Sequence, residues 1–213
     1  MAVASHTFEV GLRGTRNYVQ GSQILARTAE IVAREHPGAV LVTAKFTRIT
    51  LLGVELVLGD GEAPSGGEEI GRGQFDTGDG RLQARWFEVP GPEAPRIDDV
   101  PGSTSGLAPD GQGGGRADFV IAGTFESYLA AVIECVKALH AGRAERVSDI
   151  WFTALVGARL PVTPTYPTAG SLAVGLKIER MVEGRLQTLS VVETAGDGAP
   201  PAYQICFSCV IGD

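Results

Sequence analysis

The chain has 213 residues, of which 44% are hydrophobic and 20% charged, with a formal net charge of -7 and an isoelectric point near 5.0. This apolar share suffices to bury a core as one large or two small domains, whereas the acidic balance denies the chain the broad basic face that a phosphate backbone demands, so nucleic acid is excluded as a partner. No apolar run approaches the roughly eighteen residues that span a bilayer, and Met1-Ala2-Val3-Ala4-Ser5-His6 does not lead from basic residues into an apolar stretch; no membrane partner is expected, and a cytoplasmic setting is the default.

Thr7 to Leu12 alternates as a strand, and Gly14-Thr15 after it supplies a turn with Thr15 as a prospective helix cap. From Asn17 to His36, Ile24, Leu25, Thr28, Ile31 and Val32 recur at helical spacing, and Pro37-Gly38 ends the predicted helix. Ala39 to Thr50 and Leu51 to Leu58 are β-branched and aliphatic and read as strands. Gly-rich turns at 59–67 and 76–80 then set off two more, Glu69 to Phe75 and Arg81 to Val89. Pro90 to Arg116 lacks apolar period, is dense in Gly, Pro, Ser and Asp, and reads as a linker. The pattern resumes with a strand from Ala117 to Ala122 and a helix from Phe125 to Ala141, striped by Tyr128, Leu129, Val132, Ile133, Val136 and Leu139. Strands follow at Arg146 to Leu155, Gly170 to Ile178, Arg185 to Glu193 and Tyr203 to Ile211, and Arg159 to Pro167 is an extended proline-bearing loop. The expected organisation is a unit over 1–89, a linker over 90–116 and a second unit over 117–213.

The two units share a signal. Gly14-Thr15-Arg16-Asn17-Tyr18-Val19 returns, with one insertion, as Gly123-Thr124-Phe125-Glu126-Ser127-Tyr128-Leu129, and Lys45-Phe46-Thr47 is echoed by Trp151-Phe152-Thr153. Similar signals in similar order indicate a duplicated unit of about a hundred residues. One strand, a long helix and a run of antiparallel strands is an order that resembles the hot-dog fold, in which a sheet wraps a helix. Two such units resemble a double hot-dog, an α+β class that includes dehydratases and thioester-processing enzymes of fatty-acid and polyketide assembly. A pair of unrelated small α+β domains would use the same elements.

The resemblance implies an acyl thioester on coenzyme A or an acyl carrier protein, bound in a tunnel between the two helices with its carbonyl near a helix start; it implies no cofactor and leaves room for a homodimer. The free N–H groups and positive dipole end of a helix start stabilise an oxyanion or enolate. In this sequence that place is Tyr18-Val19-Gln20-Gly21-Ser22: Gly21 would admit the acyl group close to the backbone, and Tyr18 or Gln20 would donate to the carbonyl. The same residues serve packing equally well, Gly21 against the sheet and Tyr18 and Tyr128 as matched core positions. Glu126 opens the second helix where hot-dog enzymes often carry a catalytic carboxylate, although an acidic side chain in a first turn also compensates the dipole. Glu134 lies at the edge of the apolar stripe or acts in function.

Other groups carry less. Polyketide dehydratases pair a histidine in a His/Gly/Pro-containing segment with an opposing Asp or Glu; no such segment occurs here, and His6, His36 and His140 read as structural. Cys206 and Cys209 stand three apart in an extended segment, pointing to opposite faces, so neither a redox pair nor a metal site is expected. Arg13, Arg16, Arg48 and Arg159 read chiefly as solvated, with a phosphopantetheine patch as the alternative. The expected function is hydrolysis of, or nucleophile addition to, an acyl or enoyl thioester in specialised metabolism, with Glu126 and Tyr18 catalytic and Gln20, Gly21 and Tyr128 binding substrate. Dehydration of a β-hydroxyacyl thioester and non-catalytic acyl binding or dimerisation are the alternatives.

Overall fold

A computed structural model describes residues 4–99, 102–111, 113–141, 147–163, 165–182 and 184–211. Parts of several expectations, including the strand start at Arg146 and Pro164 of the proline loop, lie outside them. The chain divides into two compact units: unit 1 holds 1–99 with 160–163, and unit 2 holds 100–159 with 164–213.

Unit 1 comprises β1 (Ala4–Phe8), β2 (Leu12–Arg13), α1 (Gly21–Glu35), β3 (Val40–Phe46), β4 (Val54–Leu58), β5 (Glu68–Thr77), β6 (Gly80–Glu88) and β7 (Arg96–Ile97). Its main sheet is antiparallel in the order β1-β4-β6-β5-β3. Ile24, Leu25, Thr28 and Val32 of the expected stripe are buried, and α1 is tied to the sheet where Trp86 Nε1–H donates to Thr28 Oγ1 at 2.8 Å. Trp86 stacks on Phe46 with ring centroids 5.0 Å apart. A Cβ on Gly73 would lie 2.6 Å from the indole, so this strand position is reserved for a residue without a side chain.

The helix starts later than expected. Residues 17–20 are not helical, because Val19 N–H donates to Thr50 O at 2.8 Å and Arg16 N–H to Arg13 O at 3.1 Å, so the backbone there is engaged outside the helix. Gln20, not Thr15, occupies the cap position. The expected linker also departs from expectation. Within it, β7 pairs in parallel with β2, and β8 (Gly102–Thr104) and β9 (Ala108–Pro109) pair with β10 (Gly114–Ile121).

Unit 2 continues with α2 (Phe125–Ala141), β11 (Val147–Pro161), β12 (Ala169–Val182), β13 (Arg185–Ala195) and β14 (Tyr203–Ile211). The strand β11 runs through Arg159 to Pro161, into the segment expected as a loop. The antiparallel order is β11-β14-β13-β12-β10-β8. All six residues of the apolar stripe of α2 are buried. The two units therefore share a strand, a long helix and further strands but not one strand order: β12, β13 and β14 pair consecutively, whereas β4 skips β5 to pair with β6. Among the described residues, no helix is long and apolar enough to cross a membrane.

Candidate active site

In unit 1, Tyr18, Gln20 and Gly21 lie together where the chain enters α1. Gln20 has extended backbone (φ -76°, ψ 135°) and makes no side-chain cap bond. The first bonds of the helix are donated by Gln23 and Ile24 N–H to Gln20 O, at 3.0 and 3.2 Å. Gly21 is the first helical residue and is not among the positive-φ glycines, so backbone conformation does not demand glycine there. At a first helical position its conformational cost is also smaller than in a helix interior. All three residues are half-buried. Behind them the buried Gln23 accepts Gly11 N–H through Oε1 at 2.9 Å, which fixes the preceding loop to the first turn.

In unit 2, Gly123 takes a left-handed φ of 72°, and Thr124 caps α2. Ser127 N–H donates to Thr124 Oγ1 at 3.1 Å and Thr124 N–H donates to Ser127 Oγ at 3.0 Å, a reciprocal capping box with serine in place of the usual Glu or Gln. This rigid turn carries Glu126, half-buried at the positive end of the helix. Thr15 and Thr124 thus match in sequence and differ in role, as do Tyr18, before its helix, and Tyr128, within its own.

Tyr128 is fully buried. Its hydroxyl lies 2.8 Å from Thr194 Oγ1 and accepts from Tyr203 O–H at 3.1 Å, and its ring packs 4.9 Å from that of Tyr166. Burial pushes the Tyr128 phenol above its ordinary range, against the opposing pull of Thr194 and Tyr203, and pushes Tyr203 well above it. Tyr128→Phe is expected to cost about 1–2 kcal/mol, read as a lower urea midpoint, because it leaves the buried Tyr203 hydroxyl and the half-buried Thr194 hydroxyl short of a partner.

At the far end of α2, the buried His140 places Nδ1 2.6 Å from Val136 O and Nε2 2.6 Å from Thr188 Oγ1. A nitrogen facing a carbonyl must carry the proton, so the neutral ring accepts from Thr188. Sequence reasoning placed His140 at a helix end but could not see this partner, which comes from β13. His6 Nε2 lies 3.3 Å from Glu35 Oε1, and His36 closes α1. Cys209 lies on the buried face of β14 and Cys206 on the other; burial raises Cys135 and Cys209 to about 11.

No family model and no curated protein matches the chain. Solved structures share its fold class: mostly antiparallel strands with two helices, as in dehydratase domains. An isomerase-inactive variant of the GphF DH1 dehydratase superposes with a TM-score of 0.56 at 11% identity, covering 99% of this chain and 92% of its own. The PpsC dehydratase domain from Mycobacterium tuberculosis gives 0.54 at 11%, over 99% and 93%, and has also been solved in complex with C12:1-CoA (0.50 at 12%, over 99% and 93%). A tesB protein from Mycobacterium avium subs paratuberculosis gives 0.53 at 12%, over 96% and 92%.

Proposed function

We propose that this chain is a tandem double hot-dog enzyme acting on acyl thioesters of coenzyme A or an acyl carrier protein, by hydrolysis or by adding a nucleophile to the thioester or enoyl thioester. The observation that carries the reading is the entry to α1, where an uncapped start and a glycine not required by its backbone offer N–H groups to a carbonyl oxygen. Likeness to a domain solved with C12:1-CoA supports the substrate class. In this reading Gly21 N–H holds the oxygen and Tyr18 or Gln20 adds a second donor; in unit 2, taken by itself, Glu126 is the candidate catalytic carboxylate and Tyr128 a candidate substrate-binding residue.

Dehydration is the second reading, favoured by the dehydratase domains among the similar structures. Against it, both nitrogens of His140 are engaged in the core and His36 closes a helix C-terminus. Non-catalytic acyl binding is the third. Calorimetric titration with C12:1-CoA tests the binding site: Gly21→Val is expected to weaken binding by about ten-fold or more, since a branched side chain fills the approach to the N–H groups. Unchanged affinity would remove the α1 site. Turnover of a panel of saturated, enoyl and β-hydroxyacyl thioesters then separates the three readings, and binding without turnover leaves the third.

A further inference from the structure

Residues 94–99 read as linker in the sequence, yet they form a strap across the loop that enters α1. Its backbone pairs with that loop: Leu12 N–H donates to Pro95 O at 2.8 Å, and Leu12 and Arg13 lie opposite Arg96 and Ile97 in parallel register. Its side chains grip the same loop. Arg96 Nη1 donates to Gly14 O at 2.7 Å and to Arg16 O at 2.9 Å, and Arg16 pairs with Asp99 at 3.5 Å. The buried Arg13 reaches in the opposite direction, to Asp98 O.

Two glycines make the fit. A Cβ on Gly11 would lie 2.7 Å from three side-chain atoms of Ile97, and one on Gly14, at a left-handed φ of 55°, would lie 2.7 Å from Asp99 Oδ2. The strap also reaches the third segment of this joint, because Ala94 N–H donates to Leu51 O at 2.7 Å beside the Thr50 carbonyl that holds Val19. Only residues 17–19 separate Arg16 from Gln20, so the strap ends where the candidate carbonyl donors begin.

We propose that the strap positions the acyl-thioester site of α1, with Arg96 as the residue that sets where Tyr18 and Gln20 stand. The inference rests on the proposed function and adds to it a positioning residue, which touches the loop and not the substrate. Two carbonyls gripped by the two N–H groups of one planar guanidinium nitrogen define both the height and the direction of the loop; the freely rotating donors of an ammonium define less. Arg96 is exposed, so its loss leaves the core intact.

The test uses the full chain, with hydrogen exchange of residues 14–20 and calorimetric titration with C12:1-CoA. Arg96→Ala is expected to accelerate exchange in that segment and to weaken binding by about ten-fold, with the thermal midpoint nearly unchanged because the lost contact loosens only an exposed loop. Arg96→Lys should restore part of both effects. Unchanged exchange in Arg96→Ala overturns the proposal, as does a loosened loop that binds the probe normally. If Gly21→Val abolishes binding and Arg96→Ala does not, the strap fails and the site stands. If the wild type binds none of the probe, or Gly21→Val binds it normally, the site fails and takes the positioning role with it.

Discussion

Glu126→Gln is expected to lower turnover of the best acyl thioester substrate by about 10²–10⁴, the range by which a positioned general acid or base accelerates a reaction. The amide keeps the volume and hydrogen-bonding reach of the carboxyl but cannot take a proton. The competing account of Glu126 is compensation of the helix dipole, which is worth about 0.3–1 kcal/mol of stability and nothing in turnover. Single-turnover rates and urea midpoints of one preparation therefore separate the two. A rate loss with a small stability change supports catalysis, and an unchanged rate with the same stability change leaves only the dipole. The Thr124–Ser127 capping box holds the turn in either variant, so a rate loss cannot be assigned to unwinding of α2.

Trp86→Ala should be the most damaging substitution for the fold of unit 1. Deleting a fully buried indole costs about 3–5 kcal/mol, a large part of the about 5–15 kcal/mol that stabilises a whole domain. The loss has three parts: the hydrogen bond to Thr28, the stacking on Phe46, and the void left beside Gly71 and Gly73, whose missing side chains cannot fill it. Trp86→Phe keeps an aromatic ring and gives up the N–H, so it should lose about 1–3 kcal/mol and remain measurable by urea denaturation. Equal midpoints for Trp86→Phe and wild type would show that the N–H to Thr28 contributes nothing.

What was legible in the sequence was what is encoded locally. The stripe of α2 is a period of 3.6 residues and Pro37-Gly38 a stop signal, and both are met by buried side chains and a helix ending at Glu35. The start of α1 was misplaced because Val19 is held by Thr50, some thirty positions away, and no helix-forming tendency reports such a bond. The strap was invisible for a related reason. Its composition is that of a loop, and its order comes from carbonyls about eighty residues earlier. The capping box of α2 was hidden by Ser127 standing in for the usual Glu or Gln. That Gln20 and Gly21 stand near one helix start and Glu126 near the other could be read from sequence, whereas the uncapped state of Gln20 and, at the far end of α2, the engagement of His140 by Thr188 could only be read from coordinates.

The unequal strand orders bear on how the chain folds as it is synthesised. The strands β12, β13 and β14 each pair with the next, so unit 2 can assemble much of its sheet by successive short closures, which form fast. The apolar β4, with Val54, Leu56, Val57 and Leu58 buried in the finished fold, must instead wait for β6, across an intervening strand and the 59–67 turn. Until residue 88 has emerged, β4 has β1 to pair with while its other edge stays open, an apolar strand edge of the kind that chaperones cover.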